Sequence, residues 1–233
     1  LRYQNLEIDQ EVVTDYNPLY FSNGDSTHSV FSLRLVYEYD DRDRKIFPAT
    51  GIKYSAEAEK IGLTNSADEN TLITALSVEW NATTGRRFQH RVSTTAKYSL
   101  SRNRPSFVYY KGLGSGVKYV SGYELYVIDG LDYVLGKYQL AYKLLEKQSN
   151  LGSFMPVDQF RQVTYAFYIS LLAEVGYVND PYSGGVNPLT NQWLYGGGPA
   201  FTLLMYHNFL FQFSYGTNQL GDWALFIHNR TSF

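Results

Sequence analysis

The 233-residue chain contains no cysteine, which excludes a disulfide framework, a catalytic thiolate and a cysteine-ligated zinc site. Its formal net charge is only −2, so the composition provides no bulk attraction to nucleic acid. No apolar run approaches the ~18 residues that a membrane-spanning helix needs. The chain begins at Leu1 without the basic and apolar segments of a signal peptide, so we expect any such signal to have been removed or to lie outside this sequence.

Motifs for catalysis and metal binding are also missing. There is no Gly-x-Ser-x-Gly elbow, and no phosphate or dinucleotide loop leads from a strand into a helix. The four histidines occupy separate turns or strands without the spacing of metal ligands: His28, His90, His207 and His228. The sequence therefore predicts a protein that is not an enzyme and that holds neither a metal nor a cofactor.

Aromatic residues and glycine are abundant instead. Aromatics make up 17% of the chain, with 22 Tyr and 14 Phe against 2 Met, and 19 Gly are spread through it. Tyrosine has an apolar ring and a polar tip, so a Tyr-rich and Gly-rich chain is typical of a surface that is apolar on one side and wet on the other.

Hydrophobic residues recur with a period of two, which is the signal of β-strands rather than helices. Phe31, Leu33 and Leu35, for example, alternate with Ser32 and Arg34. Ten segments show the pattern, the first of them most weakly: 2–13, 31–40, 52–59, 72–80, 91–100, 134–144, 163–175, 194–206, 209–216 and 223–233.

Two fold classes have alternating strands of this kind. Soluble sandwiches have strands of about 5–6 residues, whereas membrane-spanning barrel strands have about 9–11 and face a polar lumen. Seven of the ten segments here have ten or more residues, and their polar faces carry several charges and amides. We therefore predict an all-β, antiparallel transmembrane β-barrel that occupies residues 1–233, with a soluble sandwich as the alternative.

The connections alternate in length, which predicts an orientation. If the C-terminus faces the periplasm, the short turn at 207–208 is periplasmic, whereas residues 179–192 and a long loop at about 101–132 are extracellular. Long extracellular loops and short periplasmic turns are the usual asymmetry of outer-membrane barrels. The connection at 147–160 departs from it by being long on the periplasmic side.

Three local patterns carry a family resemblance. An acidic-Arg-Asp run followed by Phe-Pro-x-x-Gly joins two predicted strands; its residues are Asp41, Arg42, Asp43, Phe47, Pro48 and Gly51. A second pattern lies in the long loop and consists of Val120, Ser121, Gly122, Tyr123 and Glu124. The third is a C-terminal strand with one apolar parity and a terminal aromatic, formed by Trp223, Leu225, Ile227 and Phe233.

In this order, the patterns resemble the BamA/TamA group of outer-membrane barrels, the bacterial surface antigen family. The resemblance implies a sixteen-stranded barrel, of which this sequence supplies about ten C-terminal strands. It further implies that the loop folds into the lumen, where an arginine at its tip pairs with an acidic group. Ser121 stands at the arginine position here, Glu174 resembles the acidic partner, and Lys118 is our candidate for the replacing cation.

The resemblance also implies a function and partners. We expect non-enzymatic assistance in outer-membrane protein assembly or polypeptide translocation, by a seam whose open strand edge templates an incoming strand. The expected partners are outer-membrane lipids, lipopolysaccharide, nascent outer-membrane proteins and periplasmic or lipoprotein accessory subunits. The alternatives are a membrane anchor or export pore for an enzyme such as a patatin-like hydrolase, and a passive surface barrel.

Overall fold

Ten β-strands form one antiparallel sheet in which each strand pairs with its neighbours in sequence. The computed structural model describes residues 1–63, 69–114, 116, 118–150, 152, 161–206 and 208–231. The strands are β1 (Arg2–Glu7), β2 (Thr27–Asp40), β3 (Gly51–Ile61), β4 (Thr71–Thr84), β5 (Phe88–Ser99), β6 (Asp132–Asn150), β7 (Gln162–Asn179), β8 (Trp193–Met205), β9 (Phe209–Asn218) and β10 (Trp223–Thr231). The all-β fold and the count of ten strands are therefore confirmed.

The predicted strand bounds were wrong by three residues or more at an end of six strands, namely β1, β2, β4, β5, β6 and β7. β1 stops at Glu7, and Val12–Tyr16 forms a short π-helical turn instead of continuing the strand. β6 and β7 are longer than predicted, with 19 and 18 residues. Their extra length includes the polar run 146–150, which lacks alternation but pairs through its backbone with 162–166. Backbone pairing does not require apolar side chains, so the hydrophobic pattern could not reveal it.

Helical structure is minor in this fold. Besides Val12–Tyr16, a single 3-10 turn occurs in the described residues, at Phe107–Tyr109. No helix in the described part of the chain is both long and apolar enough to cross a membrane.

The sheet has one apolar and one polar face, as the alternation predicted. Exposed apolar side chains from all parts of the sheet share the outer face, among them Tyr3, Leu33, Leu35, Tyr37, Leu76, Trp80, Val92, Tyr98, Ile169, Leu171, Trp193, Phe213, Trp223, Leu225 and Ile227. Serine, threonine, glutamine and charged side chains lie on the inner face and line a cavity. This inner face holds the candidate site.

The sheet is curved but open among the described residues. Side chains of β3 and of β10 line the same cavity, so the inner face wraps around it. β1 and β10 are nevertheless the two edges of the sheet. Closure into a barrel, and the sixteen strands of the larger assembly, stay predictions.

Consecutive connections alternate between the two ends of the sheet. The loop end carries the connections 100–131 between β5 and β6, 180–192 between β7 and β8, and 219–222 between β9 and β10. The turn end carries 41–50 between β2 and β3 and the β8–β9 turn. Of the predicted long connection at 147–160, residues 147–150 belong to β6, and residues 151 and 153–160 lie outside the described part of the chain, as does His207.

Candidate functional site

The base of the long loop is fixed by the carboxylate of Asp132, the first residue of β6. Arg102 donates to it from both guanidinium nitrogens at 3.0 and 2.9 Å, and the backbone N–H of Ser99 donates at 2.8 Å. The side-chain amide of Asn179 at the end of β7 adds a further hydrogen bond of 2.7 Å. Charged hydrogen bonds of this kind are among the stronger ones, so the loop leaves the sheet at a defined angle.

The two arms of the loop then pair with each other inside the sheet. Leu113 and Ile128 exchange two backbone hydrogen bonds of 2.8 Å. The ammonium group of Lys97, on the inner face of β5, donates to the carbonyl oxygens of Tyr109, Lys111 and Gly130 at 3.3, 2.7 and 3.3 Å. One lysine of the sheet thus holds both arms.

An apolar cluster buries the loop against the inner face of β6, β7 and β8. Its fully buried members are Leu113, Val120, Tyr123, Ile128, Tyr133, Leu135, Val178, Leu189 and Leu194. Burying large apolar side chains contributes roughly 1.5–3 kcal/mol each. The segment therefore packs in the interior as part of the core, where the sequence predicted it.

The tip of the loop, Lys118–Glu124, contacts the carboxylate of Glu174. The backbone N–H of Ser121 donates to Glu174 Oε2 at 2.7 Å, and the same oxygen lies 3.1 Å from Nζ of Lys137. Only 7% of the Glu174 side chain is exposed. The structure thus brings together the loop tip and Glu174, the two parts that the resemblance paired. The contact is made by the backbone N–H of Ser121 and not by its side chain.

The cation at Glu174 is Lys137, not the candidate Lys118. Lys137 and Glu174 are directly opposite each other in the pairing of β6 with β7. The ammonium of Lys118 instead lies 5.4 Å from the centre of the Tyr133 ring, and none of the ion pairs between described residues involves it. The cation that pairs with Glu174 therefore belongs to the wall and not to the loop.

Hydrogen bonds to both the N–H and the carbonyl group fix the backbone of Gly122. Its N–H donates to Oε2 of Glu124 at 2.6 Å, and its carbonyl accepts from the side-chain amide of Asn218 at 2.8 Å. Its φ of +85° is a conformation that favours glycine. Burial raises the pKa of Glu124, and the neighbouring Glu174 carboxylate adds to the rise.

Three glycines on successive strands make room for the tip. A Cβ on Gly196 would lie 1.8 Å from the carbonyl oxygen of Ser121, and one on Gly216 would lie 2.8 Å from the nitrogen of Gly122. A Cβ on Gly176 would meet Val120 at 2.7 Å. This glycine row on β7, β8 and β9 is the seat of the tip, because a larger residue would displace the tip backbone at Gly196 or Gly216 and the Val120 side chain at Gly176.

Tyr119 connects the tip to the last strand. Its ring stacks on His228 of β10 with centroids 5.6 Å apart and 14° between the planes, and its hydroxyl lies 3.3 Å from Nδ1 of His228. Nζ of Lys137 lies 4.2 Å from the centre of the same ring. Together with Gly196 of β8, these residues bring the tip into contact with all five strands that follow the loop.

Below the tip is a cavity of about 670 Å³. Most of its lining residues are polar or charged, among them Ser77, Ser93, Thr95, Gln139, Gln212 and Ser214. Lys118, Tyr119 and Ser121 bound it at the loop end, and Arg42 and Phe47 bound it at the turn end. We call this space the inner compartment.

The turn at 41–50 reaches into the interior, whereas its sequence predicted only a connection between two strands. Ile46, Phe47 and Pro48 are buried. The Phe47 ring lies 4.7 Å from that of Tyr168 on β7. It belongs to a second cluster with Ile46, Ala141, Ala166, Tyr168, Leu204 and Leu210.

Charged residues of the motif fix the shape of this turn. Arg42 donates two hydrogen bonds of 2.7 Å to the Asp40 carboxylate and one of 3.1 Å to Glu79 on β4. The hydrogen bonds to Asp40 raise the pKa of Arg42. Asp41 accepts from the N–H of Ile52 at 2.6 Å.

Asp43 and Gly51 complete the turn. Asp43 accepts from the N–H groups of Ala49 and Thr50 at 2.8 and 3.1 Å. Gly51 has a φ of +106°, and a Cβ there would lie 2.6 Å from the Cα of Arg42. Only glycine fits where the turn joins β3.

The predicted C-terminal signal forms an edge strand. Trp223, Leu225 and Ile227 are 67, 66 and 65% exposed on the outer face of β10, as their shared parity predicted. Phe233 lies outside the described residues. Its role as a recognition signal stays a prediction.

Sequence reasoning missed Lys137, Asn218 and the glycine row. Lys137 faces Glu174 only once the register of β6 and β7 is known. The run Gly196-Gly197-Gly198 was a visible signal, since glycine inside a strand often marks a close backbone approach.

The described residues contain no group of three or more His, Asp or Glu side chains that could hold a metal ion. In comparisons with known proteins, no family model matches this chain, and no curated protein matches it significantly.

Proposed function

We propose that the chain forms the wall of a bacterial outer-membrane β-barrel, with its C-terminus facing the periplasm, and that this barrel assists in inserting other barrels or in moving polypeptides across the membrane. The observation that carries the membrane assignment is the outer face of the sheet. Large apolar side chains are exposed there from β1 to β10. A soluble sandwich buries one face of each sheet against a second layer, whereas lipid would cover this face.

Aromatic pairs at both ends of the sheet support the same assignment. Tyr177 pairs with Trp193, and Tyr215 with Trp223, at the loop end, with ring centroids 5.2 and 5.5 Å apart. Other pairs lie toward the turn end and are formed by Tyr39 with Tyr54 and by Phe88 with Tyr142. Barrels in membranes carry such aromatic girdles at both interfaces, because these rings combine apolar area with a polar edge.

The interior of the sheet is partly filled by chain segments, and this distinguishes a passive pore from an assembly or translocation barrel. The loop tip and the turn 41–50 both occupy space inside the sheet. This arrangement counts against a permanently open passive pore. The unpaired outer edge of β10 supports the seam mechanism, because such an edge can pair with an added strand.

Reconstitution tests the proposal. The chain is incorporated into lipid vesicles, and the rate at which an unfolded outer-membrane barrel inserts into them is compared with the rate for empty vesicles. We expect the chain to enter the vesicles, to resist unfolding by detergent until heated and to accelerate insertion of the client.

The matched variants are Glu174→Gln and Glu146→Gln. Glu174→Gln removes the charge that holds the loop tip and is expected to reduce the acceleration. Glu146→Gln changes an exposed carboxylate on β6 and is expected to retain it. Failure of the wild-type chain to enter vesicles would refute the membrane assignment, and entry without acceleration would refute the assembly function.

A further inference from the structure

The turn at 41–50 bridges strands that are far apart in the sheet. It leaves the sheet between β2 and β3, and its Phe47 packs on Tyr168 of β7. Arg91 of β5 lies over the same ring, with its guanidinium carbon 5.4 Å from the ring centre. A turn that served only to join β2 and β3 would not need to cross the interior and contact β7, which is four strands away from β3.

The same turn forms one boundary of the inner compartment. Arg42, Lys45, Ile46 and Phe47 all line the cavity. The cavity extends between them and the loop tip, and most of its lining residues are polar or charged. An apolar ring packed at one end of such a space can act as a plug, because close-packed side chains leave no path for water or small polar solutes.

The plug is held in a strained conformation. Phe47 has a φ of +50°, which is unfavourable for a bulky residue other than glycine. Such a conformation persists only where the surroundings hold it, and it recurs at sites that change shape. Release of Phe47 from Tyr168 would relieve this strain.

We infer that residues 41–50 are a gate, which closes the inner compartment at the turn end and admits water and small hydrophilic solutes when it withdraws. The gate is independent of the loop tip, because its contacts are with the strands β4 to β9 rather than with the loop. Its placement on the periplasmic side rests on the proposed function.

Access to a cysteine in the compartment tests the gate. The natural chain has no cysteine, so Ser93→Cys on the cavity wall reports access without background. We measure the rate at which a small, membrane-impermeant thiol reagent modifies this cysteine in detergent micelles. Adding Phe47→Ser should raise the rate about tenfold or more, because labelling follows the open population.

Two further variants make the result specific. Gly51→Ala leaves the Phe47 ring in place but pushes the backbone of the turn, since its Cβ would lie 2.6 Å from the Cα of Arg42. It should raise the labelling rate as well, and it tests the gate if Phe47→Ser does not fold. Phe88→Ser removes an exposed aromatic at the same end without touching the compartment and should leave the rate unchanged.

The side of entry is measured in vesicles. Arg86→Cys, in the exposed turn between β4 and β5, marks the turn end. The labelling gain at Ser93→Cys should be confined to the side on which Arg86→Cys reacts.

Unchanged labelling in a folded Phe47→Ser or Gly51→Ala variant would overturn the gate. An equal gain in Phe88→Ser, or an equal gain from both sides, would also overturn it, because either indicates general loosening. The micelle measurement does not depend on membrane insertion. A chain that fails to enter vesicles but shows the gain in micelles would therefore contradict the proposed function and leave the gate supported.

Discussion

Replacing Lys137 is the most direct perturbation of the loop seat. Lys137→Met removes the cation that lies 3.1 Å from Glu174, whose side chain is 7% exposed. Breaking a fully buried ion pair costs about 3–5 kcal/mol, because one charge is left without a partner. Lys137 is itself 25% exposed, so water can replace part of the interaction. We expect a loss of about 2–3 kcal/mol in the free energy of unfolding.

Ser121→Arg then tests the geometry, because it introduces the arginine that the resemblance places at this position. Ser121 lines the compartment beside Glu174, so Ser121→Arg can reach the carboxylate. In the wild-type background the arginine would compete with Lys137, and the change should stay within about 1 kcal/mol. Together with Lys137→Met it should recover a substantial part of the loss, which gives a coupling of about 1 kcal/mol or more in the double-mutant cycle.

Denaturant titration of the four proteins measures this coupling. Lys143→Met is the control on the same strand, because its pair with Glu146 is partly exposed on both sides. It should cost within about 0.5 kcal/mol. A coupling of zero, or equal losses for Lys137→Met and Lys143→Met, would refute the assignment of Lys137 as the cation that pairs with Glu174.

The remaining predictions concern the sheet faces, the glycine row and pH. Phe167→Lys on the outer face should destabilise the protein in lipid by about 2–4 kcal/mol, whereas Gln139→Lys on the inner face should be mild; equal losses in unfolding titrations would contradict the barrel. Gly196→Ala should cost about 1–3 kcal/mol and speed proteolysis of the loop. Gly136→Ala should cost less, because its nearest neighbours are the Val175 side chain at 3.2 Å and the Val175 carbonyl oxygen at 4.0 Å. The folded-state pKa of Glu124 is raised above its ordinary value of 4.5, so its contribution favours the fold at low pH and is lost as pH rises through the folded pKa. Glu124→Gln should therefore reduce the pH dependence of the free energy of unfolding between about pH 4 and pH 7. An unchanged pH dependence in this variant would show that Glu124 does not cause it.

The sequence alone determined the class of the fold and the chemistry of its two faces. Alternation with a period of two is a local property, because successive side chains of a strand point to opposite faces whatever the strand pairs with. Leu33, Leu35 and Trp223 were therefore assigned to the outer face correctly. The pairing of loop tip and wall was also predicted, since Ser121 and Glu174 lie in patterns that resemble a known family.

Only the tertiary structure decided which side chains meet inside. Lys137 reaches Glu174 because β6 and β7 pair in one register, and a shift by one residue would place it on the other face. The seat of the tip depends on Gly176, Gly196 and Gly216 lying on three neighbouring strands, although they are about twenty residues apart in sequence. Phe47 gave no local sign that it would pack on Tyr168, because the path of a turn is set by the curvature of the whole sheet. Long-range contacts of this kind follow from strand register and sheet curvature, which no local sequence pattern specifies.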